Sequence, residues 1–75
     1  MKILAFGRLN ELVGSSQIEI DTVNSVQELR HELNRLFPQL EREVFAIAVN
    51  KVVVTDELNL DNNSEVALLP PFSGG

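Results

Sequence analysis

Hydrophobic residues fall along this chain in two rhythms. Residues 1–6 (MKILAF) form a short apolar run that holds β-favouring Ile3 and Phe6 and stops at Gly7, which predicts a strand. With Lys2 facing water, the period of two sends Ile3 and Ala5 inward and leaves Leu4 and Phe6 on the opposite, open face. Residues 8–13 then read as a short helical turn or loop stopped at Gly14, a residue suited to a left-handed cap. Residues 17–21 (QIEID) alternate polar with apolar, the mark of a half-buried strand. The first two strands are therefore expected to form a hairpin with a long, partly helical connection.

The period changes at Ser25. Ser25 and Glu28 have the spacing of a capping box, and Val26, Leu29, Leu33, Leu36 and Phe37 recur at steps of three and four, one apolar helical stripe. Pro38 ends the helix, because the residue before a proline is pushed out of the α region. Residues 44–50 (VFAIAVN) are apolar on both alternating sets, as in a strand covered on both faces, or covered on one and sticky on the other. Asn50 and Lys51 mark a turn into a second segment, VVVT, and residues 56–64 (DELNLDNNS) read as a loop anchored by Leu58 and Leu60. Residues 65–69 (EVALL) are the last strand, after which Pro70 and Pro71 lack the donors that sheet pairing needs. The order β, β, α, β, β, β predicts an α+β fold, one main helix on a mixed sheet of about five strands, since a single apolar stripe needs one sheet face to cover it.

Composition narrows what such a domain can do. At 75 residues, with 44% hydrophobic and 23% charged positions, the chain is a single small globular domain with little room for an enclosed catalytic pocket. There is no cysteine, which excludes disulfides, thiolate metal sites and a cysteine nucleophile. A net charge of −5 argues against nucleic acid as a partner, because phosphate binding needs clustered Lys and Arg. No apolar run approaches the length of a membrane span or a signal h-region, so no membrane association and a cytoplasmic location are expected.

Side chains with catalytic potential are few. His31 stands alone between Arg30 and Glu32 on the polar side of the helix and reads as a solvated residue. Glu28 and Glu32 share a helix face, but with no second histidine and no cysteine beside them capping and solvation account for both, and no metal site is expected. Gly7 and Gly14 lack the spacing of a phosphate loop.

The end of the chain is different. PPFSGG, residues 70–75, leaves the last strand through two prolines and finishes on Gly74 and Gly75. The residues alone allow two readings: a frayed terminus, or a working tail whose unhindered carboxylate enters another protein's site. On the second reading Pro70 and Pro71 stiffen the exit. Phe72, Ser73, Gly74 and Gly75 would then carry the carboxylate about 15 Å beyond the sheet, through a constriction that only a side-chain-free backbone passes. The domain proper is then residues 1–71, and 72–75 its flexible tail. Strand alternation adds a partner surface: with Glu65 outward, Ala67 and Leu69 are outward too, and Phe6, Val53 and Leu69 would form an apolar patch on the sheet face opposite the helix. A register slip of one residue would bury them instead.

Together, the strand at the N-terminus, ELVG, the capped helix, AVN before a short strand, EVALLPP and the final GG resemble the small-subunit family of molybdopterin synthase over essentially all 75 residues. Pro70, Pro71, Gly74 and Gly75 are the most specific part. The chain departs from that family at Asn10, which stands before Glu11 and Leu12 where members often carry arginine. The resemblance implies a ubiquitin-like β-grasp fold and a sulfur-carrier function in molybdenum cofactor biosynthesis. It also implies two partners, an E1-like adenylating enzyme and the large subunit of the synthase, in a heterotetramer. The activating partner would use ATP and magnesium to adenylate the Gly75 carboxylate, and sulfur transfer would give a thiocarboxylate that donates to the dithiolene of molybdopterin. No cofactor is expected on this chain, and the catalytic side chains are expected on the large subunit. A sulfur carrier for thiamine or tRNA thiolation, or a ubiquitin-like modifier of lysines, are the alternative readings of the same tail.

Overall fold

In the computed structural model, which describes residues 1–71, the chain forms β1 (Lys2–Ala5), α1 (Arg8–Val13), β2 (Gln17–Glu19), α2 (Val26–Leu36), a 3₁₀ helix over Pro38–Arg42, β3 (Ala46–Val49), β4 (Val52–Val53) and β5 (Val66–Leu69). The tail positions Phe72, Ser73, Gly74 and Gly75 lie outside the described residues.

The strands make one sheet in the order β2-β1-β5-β3-β4. β1 and β5 run parallel, while the pairs β1–β2, β3–β5 and β3–β4 are antiparallel. Parallel neighbours need a crossover, and the segment containing α2 belongs to it. The mixed sheet on one main helix is the predicted architecture, a β-grasp.

Alternation decides which side of the sheet is core. Ile3 and Ala5 of β1, Ile47 and Val49 of β3, and Val66 and Leu68 of β5 are buried in one cluster with Val26, Leu29 and Leu33 of α2. Leu36, expected in the helical stripe, is 41% exposed. At 100° per residue it lies at the stripe's margin, and it sits in the last turn. α1 is a full short helix that buries Leu9 and ends at Gly14 with φ of 82°, the left-handed cap expected there.

The Ser25 cap forms as predicted on one side only. Ser25 Oγ accepts from the Glu28 N–H at 3.2 Å, but Glu28 Oε2 reaches back to the Asn24 N–H at 2.7 Å instead of that of Ser25. After α2, Phe37 leaves helical geometry ahead of Pro38, and the 3₁₀ helix that follows places Leu40 in the core. That helix was not expected, because one inward residue in five carries no legible period.

The loop over residues 56–64 corrects a second expectation. Leu60 is buried, but Leu58 is 42% exposed and is not a side-chain anchor. The loop is held there by its backbone, with the Leu58 carbonyl accepting from the Val26 N–H at 3.0 Å and the Leu60 N–H donating to the Asn24 carbonyl at 2.9 Å. Glu57 Oε1 adds an acceptor for the Gln27 N–H at the start of α2.

Between β3 and β4, Asn50 and Lys51 form the expected two-residue turn, with φ of 51° and 71°. Positive φ at both positions is the hairpin geometry that matches strand twist. Asn50 ties this turn to the start of β5: its N–H donates to the Glu65 carbonyl at 2.8 Å, and its Oδ1 accepts from the Glu65 N–H at 2.9 Å.

Candidate functional site

With α2 covering one face, the other face of the sheet shows the alternate residues of each strand. The pairing register sets them in rows. Leu4 pairs with Ala67, Ala67 with Ala48, and Ala48 with Val53, so one apolar row crosses β1, β5, β3 and β4. The next row, toward the end where the chain leaves β5, holds Phe6, Leu69 and Ala46: Leu69 pairs with Ala46, and the Phe6 N–H donates to the Leu68 carbonyl at 3.0 Å. On the other side the register continues into a polar row of Lys2, Glu65 and Asn50.

These rows have a shape as well as a polarity. The inner strands contribute alanines where β1 and β4 contribute Leu4 and Val53, so the middle of the face is low and its sides are high. The result is a shallow concavity of about 440 Å³ whose lining includes Leu4, Phe6, Ala48, Val53, Ala67 and Leu69. Phe6 is 48% exposed and Val53 41%. A cluster of large apolar side chains left open to water on one sheet face is the pattern of a surface that meets another protein.

Of the sequence-predicted positions, the structure brings Phe6, Val53 and Leu69 together in this groove, and the strand register is the one that leaves them outward. Pro70 continues directly from β5, opposite Gly7. It is seated on bare backbone: a Cβ at Gly7, whose φ is 57°, would come within 2.8 Å of Pro70 Cγ. The start of the exit from β5 thus packs closely on the backbone after β1, where a side chain would clash. Pro71 is exposed, and Phe72, Ser73, Gly74 and Gly75 are beyond the described residues.

Charge is distributed unevenly around the groove. Both lysines of the chain, Lys2 and Lys51, stand at its polar border with Glu65 between them. Neither has an ion pair or side-chain hydrogen bond among the described residues. Three of the arginines are engaged elsewhere: Arg8 donates to Glu43 Oε1 at 2.8 Å, Arg35 pairs with Glu32, and Arg30 lies 5.5 Å from the Phe45 ring centroid. The Arg8 hydrogen bond and charge hold the Glu43 carboxyl below the usual carboxylate range, and Arg35 does the same to Glu32.

Two features of the groove were missed in the sequence. Ala67 of the floor was expected outward, but its partner Ala48 lies in a run apolar on both alternating sets, where no period tells which alanine faces which side. Lys51 was read only as a turn residue, and its place on the rim follows from the β3–β4 register. His31 is exposed on α2, and among the described residues no group of three His, Asp or Glu side chains is placed to hold a metal. No helix among the described residues is long and apolar enough to cross a membrane.

Comparison with known proteins bears on what the groove and tail serve. The profile of the ThiS family matches residues 3–75. The chain is 32% identical over 85 aligned positions to the molybdopterin synthase sulfur carrier subunit of Dictyostelium discoideum, covering 99% of this chain and 94% of that one. Among solved structures, a putative molybdopterin converting factor, subunit 1, from Pyrococcus furiosus superposes with a TM-score of 0.79 at 26% identity, over 93% of this chain and 94% of that one. The small archaeal modifier protein 1 from Methanosarcina acetivorans shares the fold, with a TM-score of 0.78 at 22% identity over 99% and 94% of the two chains.

Proposed function

The chain belongs to the ThiS family, and from that premise we propose that it is the sulfur carrier of molybdopterin synthase, with the carboxylate of Gly75 as the group that carries sulfur. The observation that supports this most directly is that the family match runs through to Gly75, in a chain whose full-length relative bears the name of that subunit. The groove agrees with it, since the Phe6 and Leu69 row lies where β5 hands over to Pro70. A partner seated on this face would receive the tail at the same time.

A free carboxylate is a poor electrophile with a poor leaving group, so it must be activated first. In the proposed sequence a carboxylate oxygen of Gly75 attacks the α-phosphorus of ATP on an E1-like partner that holds magnesium, and pyrophosphate leaves. Hydrosulfide then attacks the carbonyl carbon, AMP leaves as its acyl–oxygen bond breaks, and a thiocarboxylate remains. In the cytoplasm the tail is delivered to the large subunit of a heterotetrameric synthase. There its sulfur passes to cyclic pyranopterin monophosphate to build the dithiolene, and water restores the carboxylate for another round. The side chains that act on the substrate belong to the large subunit, and this chain serves as a rechargeable co-substrate. Gly74 and Gly75 leave the carbonyl carbon unhindered, while Pro70 and Pro71 limit the conformations lost on insertion.

The test is intact mass spectrometry of the protein isolated from cells that contain the activating enzyme, followed by reconstitution with the large subunit. Replacement of one oxygen by sulfur, lost again when the precursor is supplied, is the expected result. A mass that stays that of the free acid, with the chain found instead in isopeptide linkage to lysines, would overturn the sulfur-carrier reading in favour of a modifier.

A further inference from the structure

Lys51 occupies a position that suits it badly. Its φ of 71° is in the left-handed region, where an L side chain crowds the carbonyl and where the second position of a two-residue hairpin turn favours glycine. Its neighbour Asn50, with φ of 51°, is a residue type that tolerates this conformation, and Asn-Gly would be the least strained turn. The turn is held through Asn50, which exchanges hydrogen bonds with Glu65, while the Lys51 side chain itself has no ion pair or side-chain hydrogen bond among the described residues. The side chain is exposed and lines the groove beside Val53 and Glu65. In a chain of net charge −5, the only other lysine, Lys2, stands at the same polar border.

Strain at a residue whose charge is aimed at a binding face points to a role in recognition. We propose that Lys51 is a specificity residue of the docking groove: its ammonium meets a carboxylate on the surface of the synthase large subunit, so that the apolar rows seat in one orientation and the tail enters from the Pro70 end. This rests on the reading of the groove as the large subunit's docking face. It adds to that reading an acidic site on the partner, opposite the β3–β4 turn. A border charge of this kind acts on the encounter more than on the closed complex, by steering partners together and disfavouring wrong orientations.

The consequence is that stability and recognition change in opposite directions. Lys51→Gly should raise the Tm of the isolated chain by about 4 °C, since it relieves roughly the strain of one left-handed residue in a small domain. The same variant should associate with the purified large subunit about threefold more slowly at low salt, the difference closing as salt screens the pair. Lys51→Arg keeps the charge and should keep the wild-type rate and salt dependence. Stopped-flow association over a salt series reads these outcomes, with Leu69→Asp as the variant that blocks the groove itself. If Leu69→Asp weakens binding by roughly 30-fold while Lys51→Gly associates at the wild-type rate at every salt concentration, the proposal about Lys51 is overturned and the groove stands. If the wild-type chain does not bind the large subunit at all, the docking reading falls, and Lys51's role with it.

Discussion

Leu68 and Leu69 are neighbours in β5 with opposite assignments, and replacing each tests the register on which the groove depends. Leu68 is fully buried and pairs with Ala5 on one side and Ile47 on the other. Leu68→Ala removes buried methyl groups from the sheet's middle strand and leaves a cavity, at about 3 kcal/mol for a site with so little freedom to collapse. A chain of this size has a total stability of about 4–11 kcal/mol, so the variant should lose a large fraction of it and melt about 12–24 °C lower. Leu69 faces the groove, so Leu69→Asp should shift the melting point of the monomer little. Its cost should appear on binding, at about 2 kcal/mol or roughly 30-fold in Kd for the large subunit. Thermal denaturation of both variants, with calorimetric titration of the large subunit by Leu69→Asp, measures the two effects separately. Equal unfolding by the two substitutions, or a Leu68→Ala that melts like wild type, would refute the assigned register.

Three other substitutions probe separate parts of the argument. Ser25→Ala removes the acceptor of the Glu28 N–H and should cost about 1 kcal/mol in a urea titration, less if Glu57 and Glu28 hold the helix start without it. Glu43→Gln tests the Arg8 pair by its pH dependence. The folded carboxyl titrates below its unfolded value, so any stability the pair contributes is present above the ordinary carboxylate range and is lost as pH falls through the folded value. The melting difference between wild type and Glu43→Gln should therefore shrink on acidification, and a difference that widens would contradict the pairing. Gly74→Val keeps the terminal carboxylate but adds a stiff β-branched side chain, and should slow both adenylation and sulfur delivery in assays of the separate steps. Wild-type rates in both would show that the glycine is not needed for passage.

Local physics made much of this protein legible in its sequence. The Ser25 cap, the Val26/Leu29/Leu33 stripe, the stop at Pro38, the turn at Asn50 and Lys51 and the inward set Ile3, Ala5, Val66 and Leu68 each depend on a few consecutive residues, and helical and strand periods report them directly. The terminal residues are another matter: Pro70, Pro71, Gly74 and Gly75 by themselves fit a frayed end as well as a working tail, and their use as a sulfur carrier is part of the proposed function. What the sequence could not decide was set by contacts between distant segments. Ala67 was placed outward by alternation, but Ala48 joins it in the floor only because β3 pairs with β5 in one register, and a run apolar on both faces is silent about register. Leu58 was misread because the loop is tied to α2 by backbone hydrogen bonds, which any side chain permits. Lys51 became a rim residue, and Gly7 the seat of Pro70, through the packing of strands that are far apart in the chain and adjacent in the sheet.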